Sequence, residues 1–238
     1  GLINSHTHGH GSLARGLGDC WTLELLLNAG PWVSGSRTSE YKELAAKLNA
    51  AEMVLKGCTA TYDLYVEFPL PSLEGMEAVA RGYKEVGVRA VLAPMMADKS
   101  FFQAIPGLMD YLPKIQRKQV EAFYLSPASE TILACREFLH GWKFGRDRLK
   151  PALAPTIPLH CSDDFMIASR DLAHEYSVGM QMHLAESKIQ AISATKKYGR
   201  NEKVMITDGN ETKELKYKKA KPLIDSGEWE LYIGGPIT

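Results

Sequence analysis

Gly1-Leu2-Ile3-Asn4-Ser5-His6-Thr7-His8-Gly9-His10 opens the chain, and the reading of this stretch decides the fold. Leu2 and Ile3 form a short apolar lead that the glycines from Gly9 onward bring to an end. The stretch therefore reads as a buried strand running into a loop. Side chains on a strand alternate in direction, so His6 and His8 project from one face, a single pleat apart. Two neutral imidazoles on one face can grip one divalent metal ion, with other elements supplying further ligands. His10 shares the spacing but lies past the glycine, where strand geometry no longer sets its direction. Contact with a substrate and simple exposure to solvent are both open to it. Taken alone, a His-x-His pair is equally compatible with ordinary polar residues.

Outward from this strand, the chain alternates between two periodicities. A loop rich in glycine and apolar residues runs through Trp21, Leu25 and Trp32. Leu44, Leu48, Ala51 and Leu55 then recur at helical spacing, starting after Thr38-Ser39 and stopping at Gly57. Cys58 to Tyr65 is β-branched and aromatic, hence a second strand, and Met76, Val79, Ala80 and Tyr83 mark a helix closed by Gly87. Val88 to Pro94 is a third strand. A helical insertion follows, with Ser126 as N-cap, Pro127 at the first helical position, and Ile132, Leu133, Leu139 and Trp142 on its buried side. Pro151 to Ile157 is a fourth strand leading into His160-Cys161, and Ser162 caps the next helix. Val178 to Leu184 is a fifth strand, followed by a helix through Ile189 and Ile192. Strands that alternate with helices imply parallel βα units and an α/β fold.

Composition narrows the function classes. Hydrophobic residues make up 45% of the 238 and charged residues 24%, as in ordinary globular proteins. Lys+Arg and Asp+Glu number 28 each, and this balance excludes a general nucleic-acid or polyanion binder. No apolar run reaches the length of a membrane span, and no basic-then-apolar signal opens the chain, so the expected compartment is the cytoplasm without membrane contact. Cys20, Cys58, Cys135 and Cys161 are widely spaced with no C-x-x-C pair, and read as free thiols. From Arg200 the character changes. Val204 to Thr207, an Asp208-Gly209 turn and Lys213 to Tyr217 suggest a hairpin. The lysines from Lys213 to Lys221 read as a solvated surface, since nearby acids offset them.

A second informative stretch is Met182-His183-Leu184-Ala185-Glu186-Ser187 at the end of the fifth strand. An imidazole there can hold a metal, while a carboxylate three residues on moves a proton to and from water. Singly, the two read equally well as a hydrogen-bonded core histidine and a helix N-terminal glutamate. In order, Gly1 to His8, then Lys56-Gly57-Cys58-Thr59 leading to Asp63, then Arg89 before Pro94, then His183-Leu184-Ala185-Glu186 resemble the amidohydrolase superfamily. The likeness is to the branch of guanine and cytosine deaminases, S-adenosylhomocysteine deaminases and triazine hydrolases, and it runs from Gly1 to about Tyr198.

The resemblance implies a (β/α)8 barrel with its active site at the C-terminal ends of the strands. It implies one divalent metal ion, zinc ahead of iron, held by His6, His8 and His183, with Glu186 as the catalytic proton shuttle. The implied reaction is hydrolytic deamination of a nucleobase-like or triazine-like heterocycle through metal-activated water, so the partner is a small heterocyclic molecule. His160, Cys161, Asp63 and Asp98 also end strands and are candidates to bind substrate. Core packing is the alternative for His160 and Cys161; helix capping or pairing with basic neighbours is the alternative for the two aspartates.

The sequence also departs from that pattern. His183 is the last histidine, so a sixth-strand histidine has no counterpart, and the flanks of Asp208 and Asp225 do not match the family's eighth-strand aspartate. The expectation is an incomplete barrel of about five βα units of eight over residues 1–199, followed by an unrelated tail over 200–238. Five strands leave two open edges, which favours a homo-oligomer. The rival to an active enzyme is a catalytically inactive truncated fragment, or a non-catalytic domain that keeps part of the metal site.

Overall fold

Parallel strands rich in β-branched, aromatic and alanine residues form the frame. They are Leu2–Thr7 (β1), Cys58–Tyr65 (β2), Arg89–Met96 (β3) and Leu149–Pro151 (β4), hydrogen-bonded in that order, with Ala154–Pro155 (β5) pairing on β3. The computed structural model describes residues 1–34, 37–105, 107–121, 125–198 and 204–232. Thr7 pairs with Asp63 and Asp63 with Leu92, so β1 ends in the row of Asp63 while β2 runs on to Tyr65 and β3 to Met96. Parallel neighbours need long crossovers, and helices supply them. Leu23–Ser34 (α1) and Ser39–Leu55 (α2) connect β1 to β2, and Leu73–Val86 (α3) connects β2 to β3. Phe101–Ala104 (α4), Leu108–Tyr111 (α5), Lys114–Glu121 (α6) and Ala128–Gly141 (α7) lie between β3 and β4, and Asp163–Glu175 (α8) follows β5. This is an α/β fold of the (β/α)8 type, incomplete.

Local chemistry explains the helix limits. Thr38, Ser72 and Ser162 each accept a backbone N–H of the first turn of α2, α3 and α8, and Gly87 ends α3 at φ 88°. The main core lies between the sheet and the helices, with Tyr65, Met76, Tyr83, Leu92, Phe138, Phe165 and Leu172 all within 1% of complete burial. A compact unit spans Gly1–Leu184 and a second spans Ala185–Thr238. In the second, Lys188–Tyr198 (α9) precedes Val204–Thr207 (β6) and Thr212–Leu215 (β7), an antiparallel pair around Asp208-Gly209. Tyr217–Asp225 (α10) covers Ile206 with Ala220, and Glu230–Leu231 (β8) pairs with the other edge of β6.

The structure corrects several expectations. β1 is not buried: Leu2 is 65% and Ile3 72% exposed, because β1 pairs with β2 alone among the described residues. The stretch from Leu23 is a helix rather than a loop. On α2 the buried face is Ala45, Ala46, Asn49, Ala50 and Met53, whereas Leu44, Leu48 and Leu55 point outward. Pro127, not Ser126, is the residue at the α7 N-cap, and Leu133 is exposed. The fourth strand is split into β4 and β5: Ala152 and Thr156 donate to Leu92 O and Met96 O of β3, but Pro94 between those two acceptors brings no N–H to the ladder. The fifth strand is reduced to a single parallel bridge between Leu153 and Met180, flanked by bonds from Leu153 N to Gly179 O and from Gln181 N to Leu153 O. Its neighbour β5 is two residues long and offers no continuous ladder. The four cysteines form no disulfide, and no helix among the described residues is long and apolar enough to cross a membrane.

Candidate metal centre

His6 lies near the carboxyl end of β1, and His8 begins a tight 3-10 turn at Gly9–Gly11. His183 follows the bridge at Met180, 177 residues after His6. Their Nε2 atoms form a nearly equilateral triangle, 3.1 Å from His6 to His8, 3.1 Å from His6 to His183 and 3.0 Å from His183 to His8.

Backbone carbonyls fix which ring nitrogen faces inward. His8 Nδ1 donates to the Leu64 carbonyl at 2.9 Å, and His183 Nδ1 donates to the Thr156 carbonyl at 2.8 Å. The backbone N–H of His183 donates to the same Thr156 oxygen at 2.9 Å. With Nδ1 carrying the proton, each Nε2 presents a lone pair to the centre of the triangle. Burial pushes His8 down to about 4, with His183 and His6 adding to the effect and the Leu64 carbonyl opposing it, so this ring is neutral at physiological pH. Lone pairs gathered this closely repel unless a cation sits among them. A divalent ion at the usual metal–nitrogen distance of about 2.0–2.1 Å fits such a donor set, and carbonyls bonded to the far ring nitrogens are the usual means of orienting the rings.

The remaining sequence candidates fall into different settings. Asp63 is fully buried, accepting the Gly9 N–H at 2.8 Å and the Tyr83 hydroxyl at 2.8 Å. Burial pushes it up to about 6 against those two hydrogen bonds. Asp98 accepts both the backbone N–H and the hydroxyl of Ser162, at 2.8 and 2.5 Å, and so ties the end of β3 to the start of α8. Cys161 lies in the main core with its thiol toward the Met96 carbonyl at 3.8 Å, pushed up to about 12 by burial first and Asp98 second. His160 is 7% exposed, is pushed down to about 4 by burial, and lines a cavity of about 130 Å³ with Phe68, Met95, Phe101, Phe102 and Thr156. Thr156 thus borders that cavity and carries His183 on its carbonyl.

His10 is not a free ring. Its Nδ1 accepts the Val66 N–H at 3.3 Å, its carbonyl accepts from Arg37, and its ring stands 5.6 Å from that of Tyr65. Glu186 is exposed, three residues after His183 in the chain, with its backbone N–H on Gln190 Oε1 at 3.1 Å. The Leu64 and Thr156 carbonyls, which hold the His8 and His183 rings, are groups that sequence reading missed. Backbone atoms carry no residue signature, and only the pairing of strands reveals them.

Parallel strands with three convergent imidazoles near their carboxyl ends define a barrel-type fold whose histidines could hold a metal ion. The amidohydrolase family model matches residues 1–216, and the chain belongs to the amidohydrolase family. A 5'-deoxyadenosine deaminase of Methanobrevibacter smithii is 31% identical over 79% of this chain and 37% of its own length. An 8-oxoguanine deaminase of Pseudomonas aeruginosa is 31% identical over 79% of this chain and 40% of its own. Among solved structures, a zinc-bound adenosine deaminase of Xanthomonas campestris superposes with a TM-score of 0.62 at 22% identity, covering 84% of this chain and 39% of that one. A zinc-complexed atrazine chlorohydrolase of Arthrobacter aurescens gives 0.64 at 20% identity, over 84% and 43%. The chain spans about two fifths of the length of the relatives it matches.

Proposed function

We propose that this chain carries the metal-binding part of a hydrolase that releases ammonia from a small nucleobase-like or triazine-like heterocycle. The observation that carries this reading is the convergence of three Nε2 atoms within 3.1 Å, two of them with Nδ1 committed to backbone carbonyls. His6, His8 and His183 would hold one divalent ion, zinc ahead of iron. When bound, that ion supplies a Lewis acid that acidifies water and polarises the carbon under attack. Glu186 accepts a proton from the attacking water and returns it to the departing nitrogen, so that the C–N bond breaks as the C–O bond forms. The cavity beside Thr156 takes the planar substrate between Phe101, Phe102 and Met95, with the neutral His160 ring as its polar contact. Asp63 and Asp98 act through the backbone they hold, and Cys161 through packing. The same reading places the protein in the cytoplasm, acting on a free small molecule and assembling with copies of itself, without nucleic-acid or membrane partners.

A second reading has its own support. Among the described residues, no carboxylate joins the three histidines. The chain by itself would then bind metal with little or no turnover. Metal content and ammonia release separate the roles. His183→Ala should lower the zinc bound per chain. Glu186→Gln should keep the zinc and, in an active form, cost about 10²–10⁴-fold in turnover. Equal zinc loss in both variants would show the assignment of roles to be wrong.

A further inference from the structure

Behind His8 lies a run of buried polar groups that the proposed chemistry leaves without a task. Asp63 on β2 is 0% exposed and has no ion pair among the described residues. Its Oδ1 accepts the Gly9 N–H at 2.8 Å, and its Oδ2 accepts the Tyr83 hydroxyl of α3 at 2.8 Å. Tyr83, itself 0% exposed, accepts in turn from Asn49 Nδ2 of α2 at 2.7 Å. A carboxylate buried without a cation is costly, and two neutral donors repay only part of the lost hydration. What these groups hold is the residue next to a proposed ligand.

Gly9 fits against them with no room to spare. A Cβ there would come within 2.5 Å of Asp63 Oδ2, 3.2 Å of the Tyr83 hydroxyl and 3.3 Å of Asn49 Nδ2. Leu64, the next residue on β2, takes the His8 ring on its carbonyl at 2.9 Å. Two adjacent residues of one strand thus grip His8 from both sides, the ring through Leu64 and the following peptide through Asp63. The Gly9–Gly11 turn holds the His8 carbonyl through the Gly11 N–H at 2.9 Å, and β2 with its bracing helices holds the ring and the next peptide.

We infer that Asp63, Tyr83 and Asn49 are positioning residues for His8, holding its Nε2 at the vertex from which it meets His6 and His183. The inference rests on the metal reading proposed above. Groups that orient a ligand in this way typically contribute 10–100-fold to metal affinity.

The test uses the full chain. Zinc affinity is measured by competition with a chromogenic chelator, the absorption band of bound cobalt(II) reports ligand geometry, and melting of the metal-free protein reports structure. Asp63→Ala should weaken zinc 10–100-fold and shift the cobalt band. Gly9→Ala, which presses on the carboxylate, should do the same. Asp63→Asn should recover most of the affinity, because its amide oxygen still takes the Gly9 N–H and a turned Asn49 amide can accept the Tyr83 hydroxyl. Tyr83→Phe keeps the Gly9 contact and removes one brace, so it should give a smaller loss with a shifted band; it decides the matter if Asp63→Ala fails to fold. Unchanged zinc affinity and an unmoved cobalt band in folded Asp63→Ala or Tyr83→Phe, with only the metal-free melting lowered, overturn the inference. If the unaltered chain shows no zinc binding that His6→Ala abolishes, the metal reading itself fails, and this inference with it.

Discussion

Asp63 and His160 are both buried, and they pull the pH dependence of stability in opposite directions. His160 is displaced from 6.5 to about 4, so the unfolded chain takes up a proton that the folded one refuses. Its contribution, about 3 kcal/mol at 1.36 kcal/mol per pH unit, is present above pH 6.5 and lost as pH falls toward 4. Asp63 is displaced from 3.8 to about 6, so the folded chain takes up the proton first. Its burial therefore costs about 3 kcal/mol above pH 6, a cost relieved as pH falls toward 4. Urea unfolding of the metal-free protein between pH 7 and 4 should show Asp63→Asn losing about 3 kcal/mol relative to the unaltered chain on the descent, and His160→Asn gaining about as much. Curves that run parallel for all three proteins would remove both groups from the account. At this scale the histidines were readable because the i, i+2 rule of a strand and the order of motifs fix them from sequence. The partners of Asp63 were not, since Tyr83 and Asn49 come from two different helices and meet it only after the sheet forms.

Helix α2 shows where pattern reading succeeds and where it fails. Its limits followed from Thr38 and Gly57, but its buried face did not follow from its leucines. Ala46 and Ala50 face inward because α3 lies so close: a Cβ on Gly82 would meet the Glu43 carbonyl oxygen at 2.6 Å and the Ala46 Cβ at 2.8 Å. Small residues buy that approach, and the large ones are turned out, which inverts the usual rule that bulk marks the core. Gly82→Ala should therefore cost about 1–3 kcal/mol through overpacking, whereas Leu48→Gln on the outward face should stay within about 0.5 kcal/mol. Thermal or urea unfolding of the two variants separates them. Proline explains the other failure. Pro151 to Ile157 reads as one strand from its apolar character, yet Pro94 of β3 offers it no donor, and the segment after Gly179 inherits an interrupted edge.

At the scale of the molecule, compactness and composition divide the chain at different places. The compact units meet between Leu184 and Ala185, the composition shifts at Arg200, and the family match runs to residue 216. Parallel order was readable, because alternating strand and helix patterns admit little else; the extent of each strand was not, because it depends on which neighbour is present. β1 has one partner among the described residues, and Leu2 and Ile3 stand exposed along it. A bare strand edge with apolar side chains recruits another chain. Light scattering coupled to size exclusion should show mass rising with concentration, and Ile3→Lys should shift the protein toward the monomer. A constant monomer mass in the unaltered chain would mean that this edge is covered.

The separation of the three imidazoles along the chain carries a consequence for biosynthesis. His183 leaves the ribosome 177 residues after His6 and 175 after His8. Until His183 appears, a captured ion would have at most two of its three ring donors, and the sheet that aims them is still unfinished. Three-ring chelation would therefore wait until His183 has been made. A bound ion would then mark a molecule in which the segment of His183 has met β1, and at 100 times its dissociation constant it would favour that state by about 2.7 kcal/mol.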